Sequence, residues 1–216
     1  MESEISKMKA EKFWDLLSTS YDADEGDPAQ RQDLELMHRY LQPDDTVLEF
    51  ACGTGTLALH IAGWVKEIHG IDISGKMVAA AERKAAERKV ENIHFAHTTI
   101  FEARYPKESF DVIMAFNILH LLKDAHLAVQ RIYELLKPGG YFISSTPCLG
   151  EKKSLLNRLL SPIIMVPSKI GIIPYVRLFK IHELEGLLAH ENFDMVETKK
   201  FVHGITDYLI VTRKTG

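Results

Sequence analysis

Two rhythms of apolar and polar residues alternate along this chain. Short, mostly apolar runs are typical of strands buried on both faces of a sheet. Stretches with apolar residues every three or four positions are typical of helices that bury one face. Strands are predicted over 46–50, 67–72, 92–96, 110–116 and 141–145, and helices over 56–62, 75–89 and 125–136. This alternation predicts an α/β fold with a mostly parallel sheet and crossover helices.

The pattern adds further elements on both sides of this core. Residues 3–18 are predicted to form a helix. Asp27-Pro28 predicts the start of a second helix that runs to about Leu41, because Asp caps helices and Pro favours their first position. Three elements follow the fifth strand: a helix over 181–190 and strands over 193–201 and 206–213. The short connection between the last two strands indicates an antiparallel hairpin at one edge.

Composition and charge exclude several classes of protein. The chain has 216 residues with a net charge of −4, so the basic excess of a nucleic-acid-binding protein is missing and no such partner is expected. No run of about 18 apolar residues is present, so no integral membrane segment is predicted. Cys52 and Cys148 alone make neither a disulfide framework nor a thiolate metal site. No metal is expected. A cytoplasmic protein is expected, since residues 1–12 lack the apolar core of a signal peptide.

A glycine loop between the first strand and its helix is the sharpest chemical feature. Gly53 and Gly55 would let the backbone approach a ligand at the carboxyl ends of the strands. Asp72 ends the next strand, where its carboxylate could accept the hydroxyls of a ribose. The run from Gly53 to Ala58 also fits the G-x-G-x-x-A pattern of nicotinamide binding. Glu49 argues against a pyrophosphate there and suits a cationic ligand such as a sulfonium.

The order of four segments resembles the class I S-adenosylmethionine (SAM)-dependent methyltransferases. Glu49-x-Ala51-x-Gly53-x-Gly55 is similar to their first motif, (D/E)-x-G-x-G-x-G, with Ala51 in place of the first glycine. Three more matches follow in order: 70–74 with Met77 for the ribose segment, 110–113 with Leu119-His120 for the fourth strand, and 136–140 for the turn before strand five. The resemblance covers about residues 10–146 and is closest to the small-molecule branch that includes quinone-biosynthesis methyltransferases.

The resemblance implies a fold, a cofactor and a set of site residues. The fold would be a Rossmann-like seven-stranded sheet in the order 3-2-1-4-5-7-6, with strand 7 antiparallel and helices on both faces. SAM would be the cofactor, and His120 is the candidate general base, although it could instead be a packing residue. Cofactor-binding roles are implied for Tyr21, Glu49, Ala51, Cys52, Gly53, Thr54, Gly55, Asp72, Ile73, Met77, Thr99, Ile100, Phe116 and Asn117. The acidic residue that the family often carries after strand three is replaced here, so Thr99 and the backbone near Ile100 are the candidates for adenine contacts.

The chain is expected to form a single domain, 1–216, whose segments differ in function. The expected segments are an N-terminal helical cap (1–42), a SAM-binding core (43–147), an apolar lid or insertion (148–180), and a C-terminal helix and hairpin (181–216). The apolar stretch could cover an acceptor, touch lipid peripherally, or pack on the core or on another subunit. We expect methyl transfer to the oxygen or carbon of a small, apolar or aromatic acceptor. An NAD(P)-dependent oxidoreductase and a non-catalytic SAM-binding protein are the alternatives, and the oligomeric state stays open.

Overall fold

The structure, a computed structural model, describes residues 4–21, 34–151, 173–203 and 205–215. Its helices are α1 (Glu4–Leu17), α2 (Thr56–Ile61), α3 (Gly75–Arg88), α4 (Ala125–Leu135) and α5 (Ile181–His190). Its strands are β1 (Thr46–Phe50), β2 (Glu67–Asp72), β3 (Ile93–His97), β4 (Phe110–Phe116), β5 (Leu136–Pro147), β6 (Phe193–His203) and β7 (Ile205–Lys214). Short 3-10 turns cover Ala62–Trp64 and Leu119–Leu121.

The seven strands form one sheet in the order β3-β2-β1-β4-β5-β7-β6. β1 pairs in parallel with β2 and β4, and β4 pairs in parallel with β5. β7 is antiparallel to both β5 and β6. The strand order and the antiparallel seventh strand that the resemblance implied are confirmed.

Two hydrophobic cores cover the two faces of the sheet. Alternate residues of β1 point to opposite faces, so Leu48 and Phe50 belong to the first core, with α4 and α5, whereas Val47 belongs to the second. The second core includes α2 and the segment 34–41, whose residues 34–37 are helical. Helices on both faces therefore leave the carboxyl edge of the parallel strands as the place where loops and a ligand can meet.

The fifth strand begins earlier than predicted. Lys137-Pro138-Gly139-Gly140 was expected to be a turn, but β5 starts at Leu136, which pairs with Phe110. The register then shifts, and Gly139 takes a φ of +77°. A Cβ at Gly140 would lie 2.8 Å from the Asp111 carbonyl. The glycines thus form an irregularity inside the strand, where the backbones of β4 and β5 approach closely.

Other boundaries agree within a few residues. β6 and β7 extend beyond the predicted 193–201 and 206–213. The helix start predicted at Asp27-Pro28 and most of the apolar stretch 148–180 lie outside the described residues. Among the helices in the described ranges, none has the length and apolar character needed to cross a bilayer.

Candidate active site

The loop after β1 is wound by three residues with left-handed backbone angles. Ala51, Gly53 and Gly55 have φ values of 60°, 53° and 74°, in a region that glycine adopts freely and other residues rarely enter. Gly55 N–H donates to the Cys52 carbonyl at 2.9 Å, and Cys52 N–H donates to the Ile71 carbonyl at 3.0 Å. The loop is therefore closed on itself and fixed to the end of β2.

The two glycines of this loop serve different purposes. A Cβ at Gly53 would lie 3.3 Å from the ring of Tyr21, which covers this side of the loop. A Cβ at Gly55 would lie 2.6 Å from the ring of Phe95 and 2.9 Å from Cβ of Ala81. We expected both glycines to make room for a ligand. At Gly55 the missing side chain also lets α2 begin directly against β3 and α3, and its role toward a ligand stays a prediction.

Asp72 ends β2 as a buried carboxyl group held by the backbone. Its side chain accepts hydrogen bonds from Gly53 N–H at 3.0 Å and from Ser74 N–H at 2.8 Å, one on each oxygen. Burial raises the pKa of Asp72, while these two hydrogen bonds oppose the rise. Each carboxylate oxygen has a second lone pair, so Asp72 can also accept hydrogen bonds from ligand hydroxyls.

Glu49 lies in β1 next to Asp72 and is only 4% exposed. Burial raises the pKa of Glu49 to about 8; the Ala58 N–H opposes this rise, and the charge of Asp72 adds to it. Its Oε2 is enclosed and has no hydrogen-bond partner among the described residues. Two buried carboxyl groups side by side, one with an orphaned oxygen, fit a ligand that brings a positive charge and hydroxyl groups.

Cys52 and Thr54 support the loop from inside. Burial raises the pKa of the Cys52 thiol well above its usual value, so this cysteine is an unreactive packing residue. Thr54 is 1% exposed, and its Oγ1 accepts a hydrogen bond from Lys84 Nζ at 3.1 Å. The side chains of both residues are buried, and the cofactor roles predicted for Cys52 and Thr54 stay predictions.

Helix α1 is fastened beside the loop by polar contacts. Asp15 Oδ1 accepts hydrogen bonds from Ser74 Oγ at 2.6 Å and from Lys76 N–H at 3.2 Å. The bond from Ser74 contributes most to lowering the pKa of Asp15. A second contact joins Glu11 to His97 Nε2 at 3.3 Å. Asp15 was not predicted as a site residue, because its partners are about 60 positions away and no local pattern marks it.

Residues next to Asp72 complete this side of the site. Tyr21, which is 48% exposed, stacks edge-on against Trp14 with ring centroids 6.2 Å apart. The Ile73 carbonyl accepts a hydrogen bond from His97 Nε2–H at 2.8 Å. Met77 is buried, and its N–H donates to the Ser74 side chain. The roles predicted for Tyr21, Ile73 and Met77 toward a cofactor stay predictions.

The segment after β3 runs beside Asp72. Thr98 N–H donates to the Asp72 carbonyl at 2.9 Å. Thr99 is half-buried, whereas Ile100 is 1% exposed and packs in the first core. The roles predicted for Thr99 and for the backbone near Ile100 toward the adenine stay predictions. The next residue, Phe101, is 57% exposed.

Three predicted residues follow or end β4. Phe116 is half-buried against the second core. Asn117 is exposed with a φ of 54°, and its N–H donates to the Ser145 carbonyl at 2.9 Å. His120 lies in the turn Leu119–Leu121, where burial lowers its pKa to about 4. Its Nδ1 is enclosed and has no partner in the described part of the chain.

A comparison with known families identifies the class of this site. The sequence model of a methyltransferase domain matches residues 41–166, which include Glu49, Asp72 and His120. This chain belongs to the methyltransferase domain family. The resemblance stated from the motifs is thereby confirmed, and SAM is the cofactor of this class. The donor set fits it, since the orphaned Glu49 oxygen suits a cationic group and Asp72 suits a ribose. The nicotinamide alternative is not favoured.

The chain spans little more than half the length of the first curated relative that it matches and about three quarters of the second. The uncharacterized methyltransferase YcgJ of Bacillus subtilis is 33% identical over 142 residues, which cover 62% of this chain and 56% of that protein. A demethylmenaquinone methyltransferase of Oceanobacillus iheyensis is 23% identical over 181 residues, covering 76% of each. The crystal structure of the 4+2 cyclase SpnF has a TM-score of 0.75 at 17% identity, covering 95% of this chain and 94% of that one. This last likeness shows the fold alone.

Proposed function

We propose that this chain binds SAM at the carboxyl edge of β1 and β2 and transfers its methyl group to the oxygen or carbon of a small acceptor. The observation that carries the proposal is the buried Glu49 carboxyl, one oxygen of which has no partner among the described residues, beside the buried Asp72. A structural pair of carboxyl groups would be expected to have a cation of the protein nearby. The family match and the order of the four motifs support the same conclusion.

The chain's own residues divide the work of holding the cofactor. SAM supplies a methyl group that its sulfonium already activates. Asp72 would accept the ribose hydroxyls, and Glu49 would favour the positive charge. Tyr21 would cover the loop beside Gly53, against which its ring already lies. Thr99 and the backbone near Ile100 would border the adenine.

His120 determines how much acid–base chemistry the site can perform. Burial keeps His120 unprotonated at neutral pH, as a proton acceptor must be, but its pKa of about 4 makes it a weak base. We therefore attribute most of the rate to alignment of the acceptor and exclusion of water. His120 would take a proton only from an acceptor whose hydroxyl or carbon is itself acidic. The apolar composition of 148–180 supports an apolar or aromatic acceptor, over which that segment would form a lid.

Calorimetry with the cofactor tests the binding part of the proposal. Asp72→Ala should weaken SAM binding about 10- to 100-fold, because charge-assisted hydrogen bonds are worth about 1.5–3 kcal/mol. Asp194→Ala, at an exposed position of β6, should leave the affinity unchanged. Equal affinities for wild type and Asp72→Ala would refute the ribose role. Binding of NADH without binding of SAM would favour the oxidoreductase alternative.

A turnover assay tests the transfer part separately. The wild-type protein is incubated with SAM carrying a labelled methyl group and with a small-molecule extract, and label is sought in the organic phase. Transfer of label supports the proposed activity. Tight SAM binding without transfer would favour the non-catalytic alternative, because the same fold also carries an activity named as a cyclase in SpnF.

A further inference from the structure

Buried polar atoms without hydrogen-bond partners gather at one edge of the sheet. Within the described residues, the enclosed and unpartnered side-chain atoms are Glu49 Oε2, His120 Nδ1, Ser144 Oγ and Thr146 Oγ1. Glu49 is near the end of β1, His120 follows β4, and Ser144 and Thr146 are in the last four residues of β5. These three strands are adjacent and parallel, so all four atoms belong to the edge that carries the candidate active site.

Three of these residues lie on the side of the sheet that the first core covers: Ser144, Thr146 and His120. Ser144 pairs with Ala115 of β4, and both it and Thr146 alternate with Ser145, so they project to the face of the first core. The turn that contains His120 contacts β5. We call Ser144, Thr146 and His120 the acceptor strip.

Without a ligand, the acceptor strip lowers the stability of the fold. The large majority of buried side-chain polar atoms in folded proteins have a hydrogen-bond partner, and a buried hydroxyl without one destabilises the fold. Alanine and valine would fill positions 144 and 146 of a buried strand without that cost. Two such hydroxyls on the same face, in a strand that contacts the turn with the half-buried His120 and its orphaned Nδ1, indicate that a ligand completes their hydrogen bonds.

We infer that the acceptor strip binds oxygen atoms of the methyl acceptor, an inference that rests on the proposed function. Serine and threonine hydroxyls and a neutral imidazole can each donate or accept a hydrogen bond, and none of them carries a charge. The residues around them in the first core, such as Phe50 and Phe179, are apolar. Positions 144 and 146 are about 6.6 Å apart along the strand. The acceptor class is therefore an uncharged, largely apolar molecule that carries hydroxyl or carbonyl oxygens about one such spacing apart.

Access to the strip involves the segment before α5. Arg177 N–H donates to the His120 carbonyl at 2.7 Å, and Gly150 N–H donates to the Phe179 carbonyl at 2.9 Å. These two bonds hold the segment against the end of β5 and the turn after β4. Because the strip atoms are enclosed, the acceptor reaches them when side chains of this segment move aside.

A stability measurement tests whether the hydroxyls lack partners in solution. Thr146→Val and Ser144→Ala remove a hydroxyl with little change of shape, so each should raise the Tm of the full chain by roughly 2–4 °C. Thr212→Val is the matched control, because the buried Thr212 hydroxyl donates to the Phe142 carbonyl at 3.3 Å, and it should lower the Tm. A lower Tm in both strip variants would mean that the hydroxyls are satisfied inside the protein, and it would overturn the inference.

A binding measurement tests the ligand class. The probe is 4-hydroxybenzyl alcohol, and its control is 4-ethyltoluene, which has methyl groups in place of the two hydroxyls. Both are titrated into the full chain saturated with S-adenosylhomocysteine. We expect the Ser144→Ala, Thr146→Val double variant to weaken binding of the alcohol at least 10-fold and to leave the hydrocarbon and S-adenosylhomocysteine unaffected.

The other outcomes are decisive in the opposite direction. Unchanged binding of the alcohol, an equal loss for both probes, or a wild-type protein that does not prefer the alcohol to the hydrocarbon would each overturn the inference. Failure of wild type to bind S-adenosylhomocysteine at all would instead refute the proposed function, on which the inference depends. The two failures are therefore distinguished in a single set of titrations.

Discussion

Replacing the buried carboxyl group of Glu49 by an amide should stabilise the protein while weakening its binding of SAM. Burial raises the pKa of Glu49 from 4.5 to about 8, so the folded state holds this proton more tightly than the unfolded state does. The free energy of unfolding of the wild type should therefore fall as the pH rises from 4.5 through about 8. Glu49→Gln keeps the shape and the acceptor for Ala58 N–H but carries no charge at any pH.

The magnitude follows from the size of the pKa shift. A difference of 3.5 between 4.5 and about 8, at about 1.4 kcal/mol per unit, corresponds to roughly 5 kcal/mol. By pH 7 the wild type should have lost about 3 kcal/mol of this stability. Near pH 5 the group is neutral in the folded state of both proteins, so their stabilities should differ by about 1 kcal/mol at most. Glu49→Gln should thus gain stability relative to wild type only as the pH rises.

Urea denaturation at pH 5, 7 and 8.5 measures this difference directly. The matched control is Glu197→Gln, since hydrogen bonds from Tyr40 and Arg39 lower the pKa of Glu197. A carboxyl with a lowered pKa stabilises the fold above its usual pKa and loses that contribution as the pH falls. The control variant should therefore be less stable than wild type at pH 7. If Glu49→Gln were equally or less stable than wild type at pH 8.5, the inference that Glu49 is buried without a compensating partner would be wrong.

Three further substitutions test the loop and the helix beside it. Ala51→Gly should raise stability by about 0.5–1 kcal/mol in a thermal melt, because the left-handed φ of 60° strains alanine; a lower Tm would contradict the strain. Gly55→Ala should cost about 2–4 kcal/mol, since its Cβ would lie 2.6 Å from the Phe95 ring. Adding Phe95→Leu should restore part of that loss, and no restoration would refute the contact. Asp15→Ala should cost about 1 kcal/mol and speed hydrogen exchange in α1, and unchanged exchange would show that Asp15 does not fasten this helix.

Sequence patterns predicted most of the fold because each element carries its own signal. The bounds of β1, β4 and α5 agree with those predicted, since apolar runs and helical spacing are local properties. The start of β5 was wrong because Pro138-Gly139-Gly140 has the composition of a turn. The pairing that extends the strand depends on Phe110, which is distant in the sequence.

Sequence reasoning could predict those parts of the site whose positions follow from the order of the parallel strands. Glu49 lies one residue before the end of β1 and Asp72 ends the adjacent parallel β2, so their proximity follows from the strand order. The role of Gly55 was not predictable, because Phe95 comes from another strand. The burial of His120, and with it the lowered pKa, likewise depends on packing that no local pattern encodes. The sequence around Ser144 and Thr146 is that of an ordinary strand, and no local pattern shows that their hydroxyls are enclosed.

The position of β7 has a consequence for how the chain is made. β7 follows β6 in the sequence, yet it lies between β5 and β6 in the sheet. β6 therefore has no strand to pair with until residues 205–214 have left the ribosome and inserted beside β5. A nascent chain that ends before them would expose the outer edge of β5 together with an unpaired, 11-residue β6, and would need a chaperone or rapid completion of synthesis to avoid pairing with other chains.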